Sequence, residues 1–211
     1  MKEYHKIQTV FLRSPESKFK DLLDGQFALP EFAYLKDCEW TWTEKIDGMN
    51  IRVLFDGATV RFGGRSDDAL IPPHLREALE TTFTVEKMSA IFTMPCCLYG
   101  EGYGFKIQSV GTKYLPKSAD FILFDCRIGE FWLERTSLED ISQKLHIKIV
   151  PIIGKGTLLE AVEFTRRGFN STISAEKMTA EGLIMKPKIE LFTRKGERII
   201  AKIKHKDFKN G

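Results

Sequence analysis

The stretch NIRVLF-DG-ATVRF, which begins at Asn50, constrains this chain more than any other. Two runs of β-branched and apolar residues are joined by Asp56-Gly57, a dipeptide that readily takes the left-handed backbone of a tight hairpin, so an antiparallel pair is dictated locally. Just upstream, Trp40, Trp42 and Glu44 alternate with Glu39, Thr41 and Thr43. That period of two predicts a strand with one aromatic face, and it leaves Lys45 at the strand end.

Helical patterns interrupt the strands irregularly. Pro72-Pro73 opens a helix through Leu75, Ala78 and Leu79, a second covers Val85 to Ile91, and two more are expected over Thr136 to Lys144 and Thr157 to Gly168. Ser137, three residues before Asp140, resembles a capping arrangement. Glu16 to Asp24 places Phe19, Leu22 and Leu23 on one helical face with Gly25 just beyond, which predicts a short helix. Further strands are expected at Cys96 to Glu101, Phe121 to Arg127, Lys148 to Ile153, Gly182 to Lys186 and Arg198 to Lys204, with turns at Ile128-Gly129-Glu130 and Lys195-Gly196-Glu197. Hairpins mixed with helices, without an internal repeat, point to an α+β fold of largely antiparallel sheets flanked by helices.

Length and composition suit one large domain over residues 1–211: 43% of the residues are hydrophobic and 16 are Phe, enough for a substantial core. The formal net charge of +3 is too small to announce a nucleic-acid partner, so any such surface must be local. Cys38, Cys96, Cys97 and Cys126 show no Cys-x-x-Cys spacing, and adjacent Cys96 and Cys97 make a poor disulfide, which favours a reducing compartment. Met1-Lys2-Glu3-Tyr4-His5 lacks the apolar core of a signal peptide, and no apolar run has membrane-spanning length. A soluble, cytoplasmic protein without membrane contact is expected.

The chemistry begins at Lys45-Ile46-Asp47-Gly48-Met49-Asn50. An amine is a nucleophile only when unprotonated, which calls for partial desolvation or neighbouring cations. Asp47-Gly48 would turn the chain beneath Lys45, and Asn50 would set a neutral amide beside it. Lys202 and Lys204 stand two apart in an expected strand, so both face one side. Other features carry less. Gly154-Lys155-Gly156-Thr157 lacks the first glycine of a phosphate loop and reads as a strand-to-helix turn with Thr157 as a candidate helix cap, His5, His74, His146 and His205 have no metal spacing, and Cys126 reads as a buried thiol.

Lys45-Ile46-Asp47-Gly48 resembles the Lys-x-Asp-Gly motif of the covalent nucleotidyltransferase superfamily: ATP-dependent DNA ligases, RNA ligases and mRNA-capping guanylyltransferases. The remaining motifs follow in order. Arg65-Ser66 is similar to the second, Leu98-Tyr99-Gly100-Glu101-Gly102 to the third, and Asp120 to Asp125 to the strand whose aromatic stacks on the base. Glu181-Gly182-Leu183-Ile184-Met185-Lys186-Pro187 resembles the fourth and Ala201-Lys202-Ile203-Lys204 the fifth. Asn50, two residues after Gly48, and the separations of Glu101 from Phe121 and of Glu181 from Lys202 are similar to the RNA ligase 2-like family. Asp47 stands where many members of that family have His, which leaves the sealed polymer open.

The resemblance implies a ligase-type nucleotidyltransferase (adenylation) domain that joins 5′-phosphate to 3′-hydroxyl ends through lysyl-AMP. It makes Lys45 the nucleophile toward ATP, and it sets Lys202 and Lys204 on the phosphates. Glu44 is implied at the adenine, through its carboxylate or its backbone, Phe121 as the stacking face, Glu101 at the ribose, and Asn50, Arg65 and Lys186 around the nucleotide. Alternation along the strand assigns Phe124 to the core instead. Glu181 is the expected ligand, through water, of Mg²⁺ or Mn²⁺. The implied partner is nicked or splinted RNA or an RNA–DNA hybrid, bound by a monomer. Only Asp207 to Gly211 follow Lys206, so no C-terminal OB or helical domain is expected; a minimal ligase, a trimmed chain and a partner that supplies the clamp all stay open, as do a DNA ligase, a guanylyltransferase and a non-catalytic end-binding module.

Overall fold

The computed structural model describes residues 3–208; the expectations that touch Met1, Lys2 and residues 209–211 lie outside the described residues. The chain runs through strands β1 (Gln8–Thr9), β2 (Phe11–Arg13) and β3 (Leu22–Phe27), helix α1 (Pro30–Tyr34), and strands β4 (Trp40–Lys45), β5 (Met49–Phe55) and β6 (Val60–Gly63). Helices α2 (Pro73–Thr82) and α3 (Val85–Ile91), strand β7 (Cys96–Gly104), helix α4 (Gly111–Tyr114) and strands β8 (Ala119–Ile128) and β9 (Phe131–Trp132) follow. Helix α5 (Arg135–Leu145), strands β10 (Lys148–Ile149) and β11 (Ile152–Gly156), helix α6 (Leu158–Arg167), strands β12 (Gly182–Pro187) and β13 (Ala201–Lys204) and a 3₁₀ turn (His205–Phe208) complete it. The expected α+β class with mainly antiparallel pairing is what the chain adopts. Among the described residues no helix is long and apolar enough to cross a membrane.

Contacts gather the chain into two compact units. The first takes Asp47–Val150, Ile173–Glu176 and the start of the chain through Tyr4; the second takes His5–Ile46, Pro151–Thr172 and the segment from Lys177 onward.

In the first unit β10, β8, β7, β5 and β6 form a sheet in that order, with β9 added to β8. The Asp56-Gly57 hairpin joins β5 to β6 in register Phe55 to Val60 as expected, with Gly57 at φ +98°. Ile51, Val53, Leu98 and Leu123 on one sheet face pack with Leu75 and Leu79 of α2, Met88 of α3 and Ile141 of α5. Each such fully buried side chain contributes roughly 1.5–3 kcal/mol, and their number fixes which face of the sheet is the inner one. Asn50, Arg52, Tyr99 and Glu101 alternate with these residues and so lie on the other face.

The second unit holds a sheet in the order β1, β13, β12, β4 and β11, and a separate β2–β3 hairpin. Trp40, Trp42, Leu183, Met185, Ala201 and Ile203 bury one face of that sheet against Leu158, Ala161 and Val162 of α6. Helix α6 starts where expected because Thr157 and Glu160 form a reciprocal cap, Glu160 N donating to Thr157 Oγ1 at 3.2 Å and Thr157 N to the Glu160 carboxylate at 2.7 Å. The alternation read at Trp40 to Glu44 therefore turns directly into core packing.

Three local expectations are corrected. Residues 16–24 form no helix: Lys18 and Phe19 take left-handed φ values of 55° and 61°, and a tight loop is closed by Phe19 N to Ser14 O at 2.8 Å and Ser14 N to Asp21 O at 2.9 Å. A nine-residue helix is marginal alone, and pairing Leu22 with Arg13 while packing Leu22 and Phe27 into the core wins over it. The run from Lys148 to Ile153 divides at Val150-Pro151, so Ile149 pairs with Leu123 and Ile152 with Thr43, in different sheets. Helix α5 begins after Glu134 without a side-chain cap, which leaves Ser137 inside its first turn.

Candidate active site

Three adjacent strands of the second unit bring Lys45, Gly182 and Lys204 into one cross-strand row, with Gly182 opposite Lys45 on one side and opposite Lys204 on the other. Directly paired residues project to the same face, so the two lysines stand on either side of a residue that has no side chain. Into that gap reaches Glu181, whose Oε2 lies 2.7 Å from Lys45 Nζ and whose Oε1 lies 2.5 Å from Lys204 Nζ. The next row is Thr43, Ile184 and Lys202, and Lys186 follows opposite Thr41. The strand spacing expected for Lys202 and Lys204 thus places both on the face of Lys45.

The electrostatics of this row differ from a simple cluster of cations. The side chain of Glu181 is only 12% exposed, and burial would raise its carboxyl; the Lys45 ammonium and then Lys204 overcome that and hold it below the ordinary carboxylate value. A carboxylate shared between two ammonium groups neutralises half of their charge in the resting chain. The expected repulsion of Lys45 by its neighbours is therefore offset by Glu181. As a hard-cation ligand Glu181 fits in one respect: it is a single ionised carboxylate, and Mg²⁺ or Mn²⁺ that keeps its waters needs one or two carboxylates besides substrate phosphates. Among the described residues no group of three His, Cys, Asp or Glu forms a protein cage for a metal.

Glu44 is corrected. It follows the parity of Trp40 and Trp42, is 1% exposed, and its carboxylate is occupied: Ser171 Oγ donates to Oε1 at 2.5 Å, and Thr172 N and Oγ1 donate to Oε2 at 2.9 and 2.7 Å. It holds the 171–172 loop beneath the strand that ends in Lys45 and does not present its carboxylate to a base. Glu44→Ala strands these buried donors, at about 1–3 kcal/mol for each unmade bond, and we expect a loss of about 3 kcal/mol in urea unfolding with a smaller loss for Glu44→Gln. Equal stability of Glu44→Ala and the wild type would refute this role.

The other expected residues belong to the first unit. Asn50 and Glu101 are direct cross-strand partners on one face, and Asn50 Oδ1 is buried without a hydrogen-bond donor among the described residues, which suits a site that receives a hydroxyl or amide. Arg65 is exposed in the loop after β6, and the buried Arg52 braces that loop by donating from Nε to Gly64 O at 2.7 Å and pairing with Asp67 at 2.8 Å.

Phe121 is also corrected. It pairs with Gly102, whereas Ile122 pairs with Glu101, so Phe121 lies on the opposite face from Asn50 and Glu101. It is 2% exposed, edge-on to Phe83 at 5.1 Å, and its ring fills the place a Gly100 Cβ would take. Phe124, expected in the core, is the extra residue of a bulge, since Tyr99 pairs with Asp125 and Gly100 with Leu123; it is half-buried with its ring 5.1 Å from Tyr4. The two rings do lie on opposite faces, as their spacing predicts, but it is Phe121 that faces the core and Phe124 that lies on the side of Tyr99 and Tyr4.

Sequence reasoning missed Ser171 and Thr172, which lie 127 and 128 residues from Glu44. It also passed over Gly182 and Arg52. Gly182 carried a signal, since a glycine inside a strand marks a close approach.

Solved structures of an RNA ligase share this fold. A point mutant of Naegleria gruberi RNA ligase with ATP and Mn superposes with a TM-score of 0.66 at 19% identity, over 97% of this chain and 59% of that one. The same ligase with PPi gives 0.64 at 20% identity, and a mutant with AMP and Mn gives 0.64 at 18%, each over 96% of this chain and 57% of the other. The chain thus spans less than three fifths of the length of these structures. No curated protein matches it in sequence. The fold is that of the RNA ligase adenylation domains. The family model for RNA ligase matches residues 38–204, and the chain belongs to that family.

Proposed function

We propose that residues 1–211 act as one nucleotidyltransferase domain of an ATP-dependent RNA ligase, with Lys45 as the residue that carries AMP. The observation that carries this reading is the row Lys45, Gly182 and Lys204 in adjacent strands, with Glu181 joining the two lysines, inside the segment that matches the family. The ATP, AMP, PPi and Mn named for the Naegleria gruberi structures support ATP as the donor and a divalent cation as its companion.

In the first step Lys45 releases its proton to solvent, since Glu181 is held too acidic to retain it. The Nζ lone pair forms a bond to the α-phosphorus, the bond from that phosphorus to the bridging oxygen of the β-phosphate breaks, and pyrophosphate departs with the electron pair. Lys204 and Lys202, on the same face, stabilise the charge that gathers on the phosphoryl oxygens. Held through water by Glu181 and the phosphates, Mg²⁺ or Mn²⁺ would supply further positive charge there.

In the second step an oxygen of a strand 5′-phosphate displaces Lys45 from AMP. In the third a 3′-hydroxyl displaces AMP and closes the phosphodiester. Asn50 and Glu101 are the proposed partners of the ribose hydroxyls, and Arg65 and Lys186 of phosphate oxygens. The acceptor is RNA at a nick or splinted end, or a hybrid, engaged by a monomer, with a clamp supplied by a partner or by further chain.

Incubation with α-³²P-ATP and Mg²⁺ beside an α-³²P-GTP lane and a Lys45→Ala control tests the reading. Acid-labile label from ATP on the wild type alone is the expected result. Label from GTP only would replace the ligase with capping chemistry, and no label on folded protein free of bound AMP would leave a binding module.

A further inference from the structure

The second unit contains a cavity of about 560 Å³ whose wall carries Lys6, Arg13, Lys20, Lys202, Lys204 and Lys206. The carboxylate on this wall, Asp207, is already engaged through both oxygens: Arg13 donates to Oδ1 at 2.6 Å and Lys204 N to Oδ2 at 3.1 Å. Lys6, Lys20 and Lys206 are exposed and have no carboxylate partner among the described residues. Uncompensated ammonium groups around one open cavity repel one another, and an anion that spans them relieves that cost.

Two features choose the anion. Lys202 and Lys204 lie on one strand, about 6.6 Å apart along it, an interval close to the separation of successive phosphates in an extended strand, and Lys206 follows in the 3₁₀ turn on the same cavity wall. Beside the cavity, the loop from Ser14 to Asp21 presents Phe19 with 65% of its surface exposed, directly before Lys20 in the chain. The loop is not slack: Arg13 NH1 donates to Lys20 O at 2.7 Å, Asp21 N to Ser17 Oγ at 2.9 Å, and Phe19 N to Ser14 O at 2.8 Å. An exposed aromatic adjoining a cavity walled by cations matches the way single strands are gripped, with phosphates on lysines and a base on a ring. A free pyrophosphate would use the lysines and leave Phe19 without purpose.

We propose that this cavity is a groove for single-stranded polynucleotide, in which Lys6, Lys20 and Lys206 hold successive phosphates and Phe19 is the platform for one base. The groove ends at Lys204, so, resting on the ligase reading, it would lead a strand toward Lys45.

The test is fluorescence anisotropy of the full chain with a short 5′-fluorescein-labelled single-stranded RNA between about 50 and 200 mM salt. Each phosphate contact contributes about 0.7 to the slope of log K against log salt for single strands, so a combined Lys6→Ala, Lys20→Ala and Lys206→Ala variant should flatten the slope by about 2. Phe19→Ala should bind about tenfold more weakly with the slope kept. Both variants should fold as the wild type does by far-UV circular dichroism and should still take label from ATP on Lys45. An unchanged slope in the triple variant overturns the groove. So does unchanged strand binding accompanied by a loss of labelling, which would assign the cavity to the polyphosphate of the nucleotide. If the wild type takes no label while the triple variant still loses strand binding, the groove stands and the ligase reading falls.

Discussion

Gly182→Ala is expected to lower labelling of Lys45 by at least about 100-fold and to cost about 3 kcal/mol of stability, the upper end of overpacking penalties. A Cβ at this position would stand 2.0 Å from Ile203 O and 2.7 Å from Lys204 Cα, both backbone atoms that no rotamer change can move. The strand that carries Lys204 must shift, and with it the distance across which Glu181 joins the two lysines. A shift near 1 Å is enough to lose two orders of magnitude when reacting groups have to be aligned. Labelling rates and urea midpoints for the variant measure the two effects separately. Wild-type labelling would show that the spacing of the row is not what the reaction depends on.

Glu181→Gln should be less stable than the wild type at pH 7 by about 2 kcal/mol. Removing one partner of a buried ion pair costs about 3–5 kcal/mol, and the lysines here, about a fifth exposed, recover part of it from water. The pH dependence follows from the sign of the shift. The carboxyl of Glu181 lies below its ordinary value in the folded chain, so its contribution is complete above the unfolded glutamate range near 4.3 and is lost as pH falls through the lowered folded value. The stability gap between wild type and variant should therefore be constant from about pH 6 to 8 and close below about pH 4. A gap that persisted in acid would mean that the introduced amide had distorted packing and that the ion pairs were not the source.

What the residues disclosed depended on whether the deciding interaction was local. The cap at Thr157, the hairpin at Asp56-Gly57 and the aromatic face of residues 40–44 depend on neighbours a few positions away, and each was legible. The row of Lys45, Gly182 and Lys204 was legible in a different way, because the order of short motifs named its strands before their pairing was known. Phe121 was misread because the resemblance named the strand but not which of its faces packs on Phe83 and the helices, a matter settled by pairing with Gly102. The loop at Lys18 and Phe19 was misread because an apolar triad at helical spacing also serves a hairpin whose partner begins at Phe11. The carboxylate of Glu44 was misread for the commonest reason: its donors, Ser171 and Thr172, lie far away in the chain, and a carboxylate beside a nucleophile looks functional until those donors are seen.

Strand β4 carries Lys45 toward the reacting face and Glu44 toward the buried one, on consecutive residues. Its sequence can therefore vary more easily than its length can. Deleting one residue between Trp40 and Thr43 would exchange the two faces, sending an ammonium group into the tryptophan core and leaving the carboxylate outside. The turns at Gly57, Gly129 and Gly196, where an added Cβ meets nothing within 4 Å, carry no such parity. Homologous chains should consequently collect insertions and deletions at those three turns and keep the count from Trp40 to Lys45 invariant, even where the aromatic residues themselves have drifted.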